Sequence, residues 1–176
     1  MTALLPLFSL TFIVFTLLLF VRAALHKTSD FLEYQGFVAD YQLVPETWVK
    51  TIALVSVAAE VSVIVLLLIE VTRPTGLVLA AALLLCYGIA MAINIHRGHT
   101  RIECGCGGTP QLLGRSLLWR NLALSVIALL PLLALPVALT TGEIAIGMLA
   151  ALFMLLLYFL FEQANANLMA MFAKVP

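Results

Sequence analysis

Charge is what this sequence has least of. Nine Lys or Arg and nine Asp or Glu make up 10% of 176 residues, and they sum to zero net charge. Soluble domains carry about a quarter charged residues, and a nucleic-acid partner calls for a basic face; both classes are excluded. No weakly alternating strand segments are present, which excludes a transmembrane barrel. No basic residue precedes the first apolar run, so that run is expected to be retained as a signal anchor rather than removed. There is no internal repeat or low-complexity linker, and the chain is expected to form one membrane domain over 1–176. Apolar residues make up the rest: 64% of the chain is hydrophobic and the mean hydropathy is +1.15. One small globule cannot cover that much apolar surface, so lipid must.

The sequence predicts an all-α, polytopic transmembrane bundle of about five spans. These are Ala3–Leu25, Trp48–Ile69, Gly76–Ile95, Leu117–Leu139 and Ile144–Phe161. Each suits a hydrocarbon core of about 30 Å at about 1.5 Å rise per residue. Helices are the default because backbone groups in lipid must pair within their own segment. The fourth span contains Pro131 and Pro136.

Two connections hold most of the polar residues. In the first, Phe31, Tyr34, Val38 and Tyr41 recur at helical spacing and predict a short interfacial helix over about 29–42, capped by Ser29. Pro45 suits the first turn of the second span. The second connection, His96–Ser116, contains Cys104 and Cys106. With five spans, Arg22, Lys27, Lys50, Arg97, Arg101, Arg115, Arg120 and Lys174 fall toward one side and only Arg73 toward the other. By the positive-inside rule the first side is cytoplasmic. A cysteine loop that worked on the outer side would run against this count.

Cys104-Gly105-Cys106 is the sharpest chemical feature. Cysteines one residue apart can close a small ring when the residue between them is flexible. Strained, exposed disulfides are the exchangeable ones. Gly107 and Gly108 leave room for a partner's sulfur. Arg97, Arg101 and Arg115 favour the thiolate, whereas Glu103 opposes it or accepts a proton. The alternative is a metal site built from His96, His99, Cys104 and Cys106, although the adjacent arginines would repel a cation. A third reading is two small polarisable residues in a loop. Cys86, inside the third span, is expected to be an inert buried packing residue.

Glu60 falls near the middle of the second span. An ionisable group there costs at least about 2.5 kcal/mol on insertion scales, so it is expected to face the bundle, with Ser56 and polar groups of other spans as its nearest partners. Tyr87 and Asn94 lie on the third span and Arg120-Asn121 open the fourth. Tyr158, Glu162 and Asn165 form a stripe on the fifth. These groups suit hydrogen bonds between helices, or a pocket for a quinone, a proton or a lipid.

Lys27, the stretch Tyr41-Gln42-Leu43-Val44-Pro45, Glu60, Glu103-Cys104-Gly105-Cys106-Gly107 and Arg120-Asn121 together make the chain resemble the methylamine utilisation MauE family, within a wider DoxX-like group of redox-associated membrane proteins. Gly107-Gly108, where many relatives are expected to carry a larger residue, is a departure. The resemblance implies a multi-pass protein of the bacterial inner membrane that assists maturation of a periplasmic amine dehydrogenase such as methylamine dehydrogenase. It also implies a thioredoxin-like partner. On that reading Cys104 and Cys106 are the catalytic pair, supported by Gly105, Glu103, Arg101, Arg120, Asn121 and Glu60. A non-catalytic membrane scaffold for a redox partner is the remaining alternative.

Overall fold

The computed structural model describes residues 4–99, 102–105, 112–133 and 139–172. Six α-helices form: α1 Leu4–Ser29, α2 Phe31–Asp40, α3 Glu46–Leu68, α4 Arg73–His96, α5 Arg115–Leu129 and α6 Thr141–Phe172. Short 3-10 turns precede α4 (Glu70–Thr72) and follow α5 (Leu130–Leu133). Five segments, all but α2, are long and apolar enough to cross a membrane. Their alternation puts α2, the connection after α4 and the end of α6 at one end of the bundle.

The helices follow from unbroken apolar runs whose prolines sit at the ends. Pro6 and Pro74 occupy first turns, where no N–H is missed. Pro131 converts the end of the fourth span from α to 3-10, since its ring excludes the next α-helical bond. Among the described residues the α-helix of the fourth span ends at Leu129, and Pro136 lies outside them. The fifth departs in the other direction and continues past Phe161 to Phe172. Thr140 and Glu143 open it as a reciprocal cap: Thr140 N donates to Glu143 Oε2 at 2.8 Å and Glu143 N to Thr140 Oγ1 at 3.3 Å.

The cap of α2 is Asp30, not Ser29. Asp30 Oδ1 accepts from Glu33 N at 2.8 Å, while Ser29 Oγ donates back to Leu25 O at 2.7 Å. Pro45 stands just ahead of α3 rather than in its first turn. Contacts of Lys27 with Glu60 and of Tyr34 with Ser56 step in opposite sequence directions. The chain from α1 into α2 thus runs antiparallel along α3.

One apolar core joins the five spans through Phe15, Val63, Leu67, Ala80, Leu124 and Ala151. Phe15 meets Tyr158 edge to face, with ring centroids 6.1 Å apart. A smaller cluster of Met91, Leu113 and Leu117 lies beneath the cysteine loop. The outward faces carry Leu54, Val65, Val78, Ile89, Leu149 and Phe153, all exposed; hydrocarbon is the solvent that suits them. Cys86 also lies on this outer surface. The expectation that it is buried fails, because its position on α4 turns it away from the other helices.

Gly76 marks a close helix approach in which the neighbour is backbone and Cβ rather than a side-chain end. A Cβ there would lie 3.0 Å from Leu66 Cβ and 3.2 Å from its carbonyl carbon, at the α3–α4 turn. Gly76→Val is expected to cost about 1–3 kcal/mol by overpacking. It should lower the melting temperature of the detergent-purified protein, whereas Val78→Ala on the outer face should leave it nearly unchanged.

Candidate functional site

Glu60 lies on α3 and is 1% exposed. Its Oε1 accepts from Lys27 Nζ of α1 and from Tyr87 OH of α4, the latter at 2.8 Å. Lys27 Nζ also lies 3.3 Å from Tyr87 OH, and 4.8 and 4.5 Å from the ring centroids of Tyr34 and Tyr87. Glu60 thus faces the bundle and finds polar partners on neighbouring spans as expected, in Lys27 and Tyr87, but not Ser56, which bonds Tyr34 OH at 2.7 Å. Glu60 Oε2 has no hydrogen-bond partner among the described residues.

A second buried carboxylate organises the other side of the bundle. Glu162 of α6 pairs with Arg22 of α1 at 2.7 Å and with Arg120 of α5 at 3.2 Å, and accepts from Tyr158 OH at 2.7 Å. The Arg22 guanidinium lies 4.2 Å from the centroid of the Phe159 ring. Asn121 donates to Leu117 O at 3.0 Å and reaches Met91 Sδ at 3.9 Å. A small cavity of about 40 Å³ lies between the two ion-paired groups, touching Lys27, Glu60, Tyr87, Arg120, Asn121 and Tyr158. It has room for a water molecule. Arg22, Lys27 and Arg120, read from the sequence as charges of one membrane side, are thus ion-pair partners inside the bundle.

The cysteine loop is launched by a defined stop. Gly98 has φ +79°, its N–H donates to Ile95 O at 3.1 Å, and His99 N donates to Asn94 O at 2.9 Å. This paired arrangement is the Schellman end of a helix, and a positive φ favours glycine. The two arms of the loop then meet: Leu113 N donates to Ile102 O at 3.2 Å, and Glu103 bridges to Leu112. Tyr41 OH donates to the Cys104 carbonyl at 3.1 Å. Gly105 has φ +62°, and a Cβ on it would sit 3.0 Å from Phe37 Cβ. Both its conformation and its neighbour therefore require glycine.

Cys104 is consequently held against α2. It lines a cavity of about 150 Å³ between α2, α3 and α4, together with Lys27, Tyr34, Phe37, Ile52 and Tyr87. The candidate residues Cys104, Gly105 and Lys27 thus meet at one cavity, with Glu60 directly behind it. Arg120 and Asn121 belong to the adjoining polar group. Arg101 and Cys106 lie outside the described residues. His96 and His99 are exposed, and among the described residues no three His, Cys, Asp or Glu side chains gather as a metal site would need. In the sequence Tyr34 and Tyr41 were visible as part of the periodic face of α2, and Tyr41 also within the Tyr41–Pro45 stretch, whereas Phe37 was not singled out. Their approach to Cys104 depends on how α2 folds back, which local spacing does not report.

Removing one partner of a buried ion pair strands the other charge, at about 3–5 kcal/mol. Lys27→Met should therefore sharply reduce the yield of monodisperse protein from membranes. Adding Glu60→Leu should recover most of that yield. A double variant as poor as the single one would mean that the pair does not hold α1 to α3.

Comparison with known proteins follows this geometry. The profile of the family described as methylamine utilisation protein MauE matches residues 5–134. The methylamine utilization protein MauE of Paracoccus denitrificans is 40% identical over 152 residues, 82% of this chain and 80% of that protein. That of Methylorubrum extorquens is 40% identical over 149 residues, with the same coverage. That of Paracoccus versutus is 36% identical over 145 residues, covering 80% and 78%. No solved structure matches. The matched span takes in α1 to α5, with the Lys27–Glu60–Tyr87 group and the Cys104 loop, and the chain belongs to the MauE family of methylamine utilisation proteins.

Proposed function

We propose that this protein serves methylamine utilisation as a thiol–disulfide exchange protein of the bacterial inner membrane, working in the maturation of a periplasmic amine dehydrogenase. The reactive couple is Cys104 with Cys106. One thiolate attacks a disulfide sulfur of a thioredoxin-like partner or of the client, forming a mixed disulfide and releasing one partner thiol. The second cysteine then attacks the mixed disulfide, closing the Cys104–Cys106 bond and freeing the partner as a dithiol. Run backwards, the same steps oxidise the partner.

The observation that carries this reading is the pinning of Cys104. Its carbonyl is held by Tyr41 and the next residue is packed under Phe37, so the sulfur is presented from a fixed backbone beside a cavity. A merely incidental loop cysteine would need no such support. Membership of the MauE family supplies the methylamine context. The basic-residue count is a weaker guide to orientation than it first looks, because Arg22, Lys27 and Arg120 are used inside the bundle. Labelling whole cells with a membrane-impermeant maleimide assigns the loop to one compartment.

Cys104→Ser and Cys106→Ser are each expected to abolish formation of active client, while Cys86→Ser, on the outer face of α4, should support normal levels. Activity of the amine dehydrogenase in cells carrying each variant decides it. Normal activity with both loop variants would leave a scaffold role in place of exchange.

A further inference from the structure

Glu60 has one oxygen to spare. Lys27 and Tyr87 both meet its Oε1, whereas Oε2 is buried with no hydrogen-bond partner among the described residues. A buried carboxylate oxygen left bare is costly, so it calls for a donor. Glu60 lines the smaller cavity, of about 40 Å³, and not the larger one beside Cys104. Arg120 and Asn121 of α5 line the same small cavity. Asn121 is 3% exposed and turns its Nδ2 to Leu117 O and Met91 Sδ. Those contacts fix the amide orientation and leave Oδ1, an acceptor, unused among the described residues. Two acceptor oxygens on different helices thus border one cavity.

This donor set is selective. A cation would meet the Lys27 ammonium and the Arg120 guanidinium in the wall. An anion would meet the Glu60 carboxylate and the Asn121 oxygen. An apolar group would leave both acceptors bare. Water is neutral, offers two O–H donors and needs only roughly 10–15 Å³ of such space. We infer that this cavity holds an ordered water, which donates one hydrogen to Glu60 Oε2 and the other to Asn121 Oδ1. Arg120, whose guanidinium carries N–H groups beyond the one on Glu162, stands in the wall as a donor to the water oxygen. Glu60 gathers α1, α3 and α4, and Glu162 gathers α1, α5 and α6. The water joins these two polar groups and is a hydrogen-bonded tie from α3 to α5.

The test uses the full-length protein in lipid nanodiscs, exposed to short X-ray pulses that turn water into hydroxyl radicals where it sits. Mass spectrometry then locates the oxidised side chains. Phe20 and Leu124 line the cavity, Phe15 and Leu67 do not, and all four are buried in the core. Oxidation of Phe20 and Leu124 should stand clearly above that of Phe15 and Leu67. Ala23→Leu, which fills the cavity from α1, should bring Phe20 and Leu124 down to the level of the other two. Val78→Leu on the outer face should leave the pattern unchanged. Circular dichroism melting checks that each variant is folded. If Ala23→Leu is not, the paired variant Lys27→Met, Glu60→Leu carries the test, with the same loss expected because the acceptor is gone. Equal oxidation within the Phe20–Phe15 and Leu124–Leu67 pairs of the unaltered protein would overturn the inference. So would undiminished oxidation of Phe20 and Leu124 in a folded cavity-filling or paired variant.

Discussion

Two buried carboxylates tie together all five spans. Glu60 on α3 takes Lys27 from α1 and Tyr87 from α4; Glu162 on α6 takes Arg22 from α1 and Arg120 from α5. In lipid, apolar surface gives little preference for one helix register over another, because acyl chains are as apolar as leucine. An unpaired charge is a different matter, since its desolvation has no compensation. Sliding α1 by one turn would separate Lys27 and Arg22 from both carboxylates at once. The ion pairs therefore fix register, while the core around Phe15, Val63 and Leu124 supplies close packing.

This constraint explains where the sequence was readable and where it was not. The apolar runs gave the number and kind of spans directly, because composition alone decides what must face lipid. Their ends were less legible, for one recurring reason. Arg22, Lys27 and Glu162 look like residues that stop a span, but each has a partner brought from 33 to 140 residues away. α1 and α6 consequently run past them. Pro131 misled in the opposite direction, because an apolar run continues through it while the α-helix does not. The inward turn of Glu60 and its need of polar partners on neighbouring spans could be argued from cost, yet the choice of Lys27 could not, and Ser56 of its own helix bonds Tyr34 instead. Cys104 and Gly105 were conspicuous as a motif, but nothing local showed that Tyr41 and Phe37 would hold them.

The polar frame and the cysteine loop are connected through α2. Because Lys27 is drawn in to Glu60 near the end of α1, the chain leaves that helix beside α3, and α2 packs back along it with Tyr34 on Ser56. That course brings Phe37 and Tyr41 to the far end of α4, where the turn at Gly98 has released the loop. Gly105 can lie under Phe37 only because it has no side chain and accepts a positive φ. The position of Cys104 is thus inherited from an ion pair with which it shares no backbone.

The same ion pair sets the electrical character of the larger cavity. Lys27 alone, desolvated beside apolar walls, would draw in an anion. Glu60 against its ammonium removes the net charge, and the same carboxylate takes the Tyr87 hydroxyl. Neutral overall and lined mostly by apolar side chains, the cavity disfavours a charged occupant. Cys104 stands in its wall. The arrangement that makes a charged residue tolerable in the bundle is therefore also what gives the cavity its chemical preference.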